Sequence, residues 1–451
     1  MKNTDTKLRT QLLSRLLPVS AEVDIAIAGG SCTGVFAAVT AARLGAKCAI
    51  IEAQNRFGGT MTAGQVCYWH SLFNSDYSSQ IITGLTQEVI DRMAKRGLIE
   101  FWKEKNPHWY VNLNTEELCC ELDEMVIESG VLPFLHTRAA DVLTSGEGTY
   151  VDGVIVAGKD GLSVIKAKYF IDATGDADLV RFAGGKVWRN SELQTSTTCV
   201  KFSRWPREIM AENRIGRMIH AAKEKYKMPE GVIWGADCCC SNTYMFAGTN
   251  IPLLDSSNQK ELTEIEIESR RQMRAVADIV GEAGYPRPVI EAVPSLAGIR
   301  ESCHIHSLYR ITLDELFSGK VFEDAAGKGT YRSDVHRRDP PGTLFRYLDG
   351  TEILLTPCEP AYKRRWRNAS LPTPPYYTWP LRSQIPVKFR NLITAGRMID
   401  ADAGAYGALR VMVNMNQSGE AAGNAAFRAL DAGKNIPELV KTRNHSMQEI
   451  N

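Results

Sequence analysis

The apolar positions near the start of the chain change rhythm twice. Residues 23–28, VDIAIA, form a short apolar run stopped by glycines, the pattern of a strand buried on both faces. Residues 33–45 are rich in Ala and Val and predict a helix, and residues 47–52, KCAIIE, predict a second strand. Strand, Gly-rich turn, helix and strand within about thirty residues is the compact unit that lays two parallel strands side by side. Helices are predicted next near 84–97 and 114–130. Residues 131–143 read as strand, turn and strand, 150–157 and 162–168 as a β-meander, and 167–180 as a buried strand running into a glycine turn and a helix start.

The pattern shifts after Gly185. Residues 186–380 are more polar, hold most of the prolines and contain one long helix near 261–283, which predicts a separate unit with an antiparallel sheet. Residues 371–380, LPTPPYYTWP, read as an extended connection, 391–396 restore a buried strand, and 407–432 are helical and Ala-rich. The expected organisation is a discontinuous first domain, 22–185 closed by 381–435, interrupted by a mixed α+β domain at 186–380 on the substrate side. Residues 1–21 are expected to be an amphipathic helix with Leu8, Leu12, Leu13, Leu16 and Leu17 on one side, and 436–451 a tail.

Composition narrows the function classes. A chain of 451 residues suits two or three packed units. Its formal charge of +1 gives no general attraction to nucleic acid or acidic lipid, so no nucleic-acid partner is expected. No run of about 18 apolar residues is present, so no membrane span is expected, and the N-terminus lacks the apolar core of a signal peptide. Eleven cysteines without a Cys-x-x-Cys point to a reducing, cytoplasmic setting and away from a disulfide reductase or a zinc module. The partner expected is a small-molecule substrate, with an oligomer open.

The chemistry starts at Gly29-Gly30-Ser31-Cys32-Thr33-Gly34. The usual dinucleotide turn reads Gly-x-Gly-x-x-Gly, and Ser31 stands at its middle glycine. Gly29 permits the tight turn and Gly34 close packing of helix on strand, while the helix opening near Thr33 offers unpaired N–H groups to a diphosphate. Cys32 reads as a space-filler. Glu52 ends the second strand, where a carboxylate accepts hydrogen bonds from ribose hydroxyls and repels a 2′-phosphate. The expected fold class is α/β: a Rossmann-like domain with a parallel sheet, helices and a β-meander, plus the mixed α+β domain. Arg56-Phe57-Gly58-Gly59-Thr60 adds a double glycine that brings the chain close over a diphosphate, a feature NAD enzymes do not generally carry. Ala173-Thr174-Gly175 and Gly396-Arg397 end two further strands.

These motifs, together with RFGGTMTAG, FIDATGDAD, GIRES, AGRMIDADAGAYGALRVM and GEAAGNAA, resemble the FAD-dependent oxidoreductase family, within the glutathione-reductase-like flavoprotein superfamily, from about residue 22 to 430. The resemblance implies FAD as cofactor. It implies that Gly29 to Gly34, Glu52 and Ala53 hold the ADP half and that Arg56, Gly58, Gly59 and Thr60 flank the diphosphate and ribityl chain. Ala139 would meet adenine through its backbone, and Asp402 would sit near the ribityl chain or diphosphate. The helix entered through Gly407, Arg410 and Val411 would aim its N-terminus at the flavin O2 edge, where reduced flavin is negative. The chain departs from the family pattern at 300–306 and 400–403, where substrate contacts are expected, so a relative's substrate does not carry over.

A flavin oxidation needs a substrate C–H near N5 and a base or charge clamp from the protein. Arg300, Arg382, His70 and His304 are the leading catalytic candidates, with His306 and His336 behind them. His304 and His306 alternate and on a strand would face one side; two histidines lack a third ligand, so no metal is expected. Arg300 and Arg382 either grip a carboxylate in bidentate fashion or form ion pairs between domains. Cys238–Cys240 read as buried small residues and Lys363–Arg365 as solvated surface. No second Gly-x-Gly-x-x-Gly unit is present. The expected function is a dehydrogenase or oxidase passing a hydride from a small polar substrate to flavin N5. A flavin monooxygenase using NAD(P)H and O2 and a non-catalytic flavin-binding protein are the alternatives.

Overall fold

A computed structural model describes residues 16–101, 110–252, 254–337, 341–357 and 359–440. Its central sheet runs, edge to centre, through strands Leu132–Phe134, Cys48–Ile51, Val19–Ala28 and Gly161–Asp172, all parallel. The 12-residue strand Gly161–Asp172 joins the parallel and antiparallel parts of this one seven-stranded sheet. Its first half pairs antiparallel with Tyr150–Gly158, which pairs with Arg138–Ser145 to make the β-meander; its last three residues pair parallel with Leu392–Thr394. The late strand therefore returns to the sheet that opens the chain. The fold is α/β with several antiparallel sheets attached.

Helices Cys32–Arg43, Thr115–Glu128 and Met412–Ala432 cover one face, and their Val, Ile, Leu and Ala side chains pack on Ile25, Ile27, Cys48 and Ile50. Ala26, Ala28, Phe170 and Leu392 point to the opposite face and pack with the meander, as strand alternation requires. Asn114 caps the second of these helices, accepting from the Glu116 and Glu117 N–H groups at 3.1 and 3.2 Å.

A second body is the antiparallel sheet of strands Trp234–Asp237, Tyr244–Ala247, Val200–Ser203 and Val289–Ala292, covered by helices Arg214–Tyr226 and Gln259–Glu282. The first of these helices was not expected; only Ile215 and Ile219 are buried on it, too thin a stripe to stand out among its charges. A third body is the four-stranded meander Ser333–Arg337, Gly342–Arg346, Thr351–Leu355 and Tyr362–Arg365.

Three expectations change. The predicted N-terminal helix falls mostly on residues 1–15, outside the described residues, but its end does not hold. Residues 16–18 are not helical, and Val19 to Ala21 belong to the first strand, in register with Val164 and Ile165. Residues 68–70, 99–101 and 110–113 form a small antiparallel sheet where only loop and helix ends were expected. The helix expected over 407–432 is two helices, Ala403–Leu409 and Met412–Ala432, because Val411 is extended (φ −67°, ψ 146°) and starts the second. Of the predicted tail, 436–440 is a short 3-10 turn and 441–451 lies outside the described residues. No helix among the described residues is long and apolar enough to cross a membrane.

Candidate functional site

The Gly-rich turn is a cradle that side chains would fill. A Cβ on Gly34 would lie 1.8 Å from the Gly29 carbonyl oxygen, and one on Gly29 (φ +102°) 2.3 Å from that of Ala173. Ser31 is the N-cap of the helix Cys32–Arg43, yet its side chain makes no capping bond, so no side chain fills the N–H groups at that mouth. The second glycine pair folds over it: the Gly58 N–H donates to the Gly30 carbonyl at 2.8 Å, and a Cβ on Gly59 (φ +54°) would sit 2.7 Å from Ser31 Cβ. Thr60 anchors the same loop, its carbonyl accepting from the Val66 N–H at 3.1 Å. Burial pushes the Cys32 thiol up to about 12, which leaves it unreactive.

Glu52 directly follows the strand Cys48–Ile51, 9% exposed, and each oxygen accepts a backbone N–H at 2.7 Å, from Gly30 and from Gln54. Burial raises its carboxyl above the ordinary range against the pull of those N–H groups. The Gly30 N–H is thus committed to Glu52 and not open to a phosphate. Ala53 is exposed in the loop that follows, and Ala139 lies one residue past Arg138 on the strand entered from Thr137, whose N–H donates to the Glu52 carbonyl at 2.9 Å. Buried Asp172 shapes the neighbouring turn, accepting from Thr174 N–H at 3.1 Å and Thr174 Oγ1 at 2.7 Å. Across that turn Arg397 pairs with Asp176 at 2.8 Å, and a Cβ on Gly175 (φ +85°) would strike its guanidinium.

The helix Met412–Ala432 lies against Cys32–Arg43 through glycines. Cβ atoms on Gly419 and Gly423 would fall 2.1 Å and 2.3 Å from the carbonyl oxygens of Thr33 and Ala37. Both sequence numbers rise together, so the helices run parallel and both N-termini point the same way. Met412 lies seven residues ahead of Gly419, so the second N-terminus stands roughly 10 Å beyond the first. No side chain caps it either. Two open helix mouths in line, one behind a glycine cradle, suit a long diphosphate cofactor with a second electron-rich end.

Beside the second mouth the fold gathers charge from four segments. The Asp334 carboxylate accepts from Tyr331 Oη at 2.7 Å and faces His336 Nε2 and Arg410 Nη2, each at 3.4 Å. Gly407 has no side chain because the Asp334 backbone lies 2.9 Å from where its Cβ would be. Arg300 donates from Nη1 to the Thr195 carbonyl and Thr197 Oγ1, both at 2.6 Å, and its own carbonyl accepts from Tyr406 Oη. The His70 ring lies 4.7 Å from that of Tyr331. Burial and the cations nearby push His70 down to about 4 and His336 to about 3, so both imidazoles are neutral at pH 7. Burial, then the charge of Arg410, pushes Arg300 down to about 10. His336, Arg410 and the Tyr331 hydroxyl hold the Asp334 carboxyl well below the usual range against its burial.

Other predicted residues stand elsewhere. His304 is fully buried, with Nδ1 on the Ile399 carbonyl and Nε2 on Glu301, each at 2.9 Å, so neither nitrogen is free to take a substrate proton. His306 is exposed: the strand ends at Ile305, and the two histidines do not share a face. Arg382 pairs with Asp324 at 2.5 Å and stacks 4.6 Å over Tyr309, which is the ion-pair reading. Arg56 pairs with Glu116 at 2.7 Å. Asp402 caps the helix Ala403–Leu409, accepting from Ala405 N–H at 2.7 Å and Leu313 N–H at 3.0 Å, so both of its oxygens serve the fold and not a ribityl chain. A cavity of about 1220 Å³ lies on the outer side of the helix Met412–Ala432, lined by Arg382, Glu420 and Arg428 and by none of the Gly-rich turn.

Sequence reasoning missed Tyr331, Arg332 and Asp334. The available signal was Arg332, Asp334 and His336, three ionisable residues at alternate positions, hence on one face of a strand.

This combination defines an α/β protein with a parallel sheet and a dinucleotide-type turn. The chain belongs to the FAD dependent oxidoreductase family, whose pattern matches residues 24–449. It is an enzyme of that family, and its cofactor is FAD. It is similar to thiamine thiazole synthase of Pyrococcus horikoshii, 27% identical over 162 residues; these are 34% of this chain, and the chain spans 58% of that curated relative's length. Among solved structures it is similar to a geranylgeranyl bacteriochlorophyll reductase-like protein from Thermoplasma acidophilum (TM-score 0.49, 13% identical, covering 92% of this chain and 80% of that one). Another is p-nitrophenol 4-monooxygenase from Pseudomonas putida (TM-score 0.42, 10% identical, covering 93% and 83%).

Proposed function

We propose that the chain is a dehydrogenase or oxidase that takes two electrons from a small polar substrate held at the Arg300–Asp334–His336 cluster. The observation that carries this reading is the parallel pair of uncapped helix mouths, the second of which opens beside that cluster. In this reading Gly29 to Gly34 and Glu52 hold the ADP half of FAD, and Gly58, Gly59 and Thr60 close over the diphosphate. Arg410, Val411 and the mouth at Met412 meet the flavin end. Bound FAD supplies a two-electron acceptor.

The protein's own residues then have separable tasks. His336 and His70 stay neutral at pH 7 and offer their rings to the substrate as uncharged hydrogen-bond partners. Asp334 fixes the His336 ring and balances one nearby cation. His304 and Glu301 are positioning residues: they brace the segment that carries Arg300. The chain's two domains, 22–185 with 381–435 and 186–380, fit this division of cofactor from substrate.

Anaerobic bleaching of the purified yellow protein by a metabolite set tests the reading. Bleaching by an organic substrate without NAD(P)H is expected. Oxygen-dependent NAD(P)H consumption would make it a monooxygenase instead, and a flavin that no substrate reduces would make it non-catalytic.

A further inference from the structure

The charge at the cluster does not balance. Three guanidiniums, Arg300, Arg332 and Arg410, surround one carboxylate, Asp334, and the two imidazoles are neutral. Asp334 is shared among Tyr331, His336 and Arg410. Among the described residues neither Arg300 nor Arg332 has an ion-pair partner. The Arg300 Nη1 bonds go to neutral oxygens. Arg332 lies 4.0 Å over the Phe345 ring, with Tyr331 and Tyr347 at 5.4 and 5.5 Å, and its buried Nε has no hydrogen-bond partner. The Nε of Arg410 and Oδ1 of Asp334 are also buried without a hydrogen-bond partner. By contrast, Arg382 and Arg397, also partly buried, each meet an aspartate. Uncompensated charge in such a place is unfavourable unless a counter-ion completes it.

We infer that an anionic substrate completes this site, one whose carboxylate is gripped by the forked guanidiniums of Arg300 and Arg332. The inference rests on the proposed function, since it assigns the substrate class of that same cluster. Planar, delocalised forks match a carboxylate through two parallel bonds, and stacking on Phe345 fixes the plane of Arg332 before anything binds. Arg410 stays with Asp334 and keeps that carboxylate from repelling the incoming one.

The test uses the FAD-loaded full chain at low salt and pH 7.5. Calorimetry and the flavin difference spectrum follow titration with acetate, propionate, pyruvate and benzoate, with propionamide and benzamide, and with inorganic phosphate. Saturable binding of at least one carboxylate is expected, with no binding of its amide. Arg300→Gln and Arg332→Gln should each weaken it by about 10- to 100-fold, the range of one charge-assisted contact, while Arg300→Lys should retain part of it. Arg382→Gln, whose guanidinium is already paired, should leave the affinity unchanged. Flavin content and thermal midpoint, read on every variant, separate lost binding from a lost fold. Equal binding of amide and carboxylate, no effect of either glutamine variant, or phosphate binding more tightly than every carboxylate would overturn the inference. A flavin-free protein would instead overturn the cofactor reading beneath it.

Discussion

Replacing Gly419 by alanine sets two opposing effects against each other. In an isolated helix the change favours folding by about 1 kcal/mol, because glycine loses more backbone freedom on folding. Here the new Cβ would lie 2.1 Å from the Thr33 carbonyl oxygen and 2.9 Å from its carbon. A relaxed carbon–oxygen contact is roughly 3.3 Å, so the two helices must part by roughly 1 Å. Both colliding groups are backbone, with no rotamer to yield, which puts the overpacking cost at the upper end of about 1–3 kcal/mol. The net expectation is a loss of about 1–2 kcal/mol and a midpoint lower by a few degrees. The same displacement separates the two mouths that the cofactor is proposed to bridge, so FAD affinity should fall by about tenfold or more. Thermal unfolding with and without added FAD, and the flavin-to-protein ratio after gel filtration, measure both. Gly423→Ala, with its Cβ 2.3 Å from the Ala37 oxygen, should behave alike. Asn424→Ala, exposed on the same helix, should be neutral or slightly stabilising. A Gly419→Ala protein as stable as the parent with full flavin would refute the close parallel contact.

Glu52→Gln should weaken FAD binding by about 10- to 100-fold in a fluorescence titration of the apoprotein, because it removes a charged acceptor and leaves one of the Gly30 and Gln54 N–H groups unmatched. Unchanged affinity would remove Glu52 from the proposed site. His304→Ala strips the imidazole from the Glu301 carboxylate, which is 2% exposed, and should cost about 3 kcal/mol in urea unfolding while leaving the pH dependence of turnover where it was; a shifted acid limb would return His304 to the chemistry. Stability should be greatest above pH 6.5 and fall as pH is lowered toward 4. Unfolded histidines take up protons near 6.5, whereas folded His70 and His336 resist to about 4 and about 3, so the unfolded state binds more protons across that window. Urea midpoints at pH 7.5 and pH 5 check it, and a flat profile would mean that these rings are not enclosed among Arg300, Arg332, Arg410 and Asp334 as described.

How legible the molecule was depended on how local each feature is. The first strand, the glycine turn, the helix after it and Glu52 are adjacent in the chain, and backbone sterics with apolar periodicity bring them together without help from distant residues. The strands at 68–70 and 99–101 are three residues each and exist only because residues 110–113 pair with both, so no periodicity announces them. Arg56 and Asp402 bear the chemistry expected of cofactor contacts, but Glu116 and the Ala405 N–H reach them first. His304 and Arg382 were plausible catalysts by residue type; burial against Glu301 and pairing with Asp324 are facts of packing.

The sequence by itself thus determined the parallel α/β core, the place of the dinucleotide turn and its terminal acid, and the family resemblance that names FAD. Only the tertiary structure decided that Arg300, Arg332, Asp334, His336 and Arg410 share one site, and that two helices meet glycine to backbone. The physical reason is range: a turn is set by the dihedral preferences of neighbours, whereas a charge cluster is set by where distant segments pack, and side-chain pKa values and free donors follow from that packing.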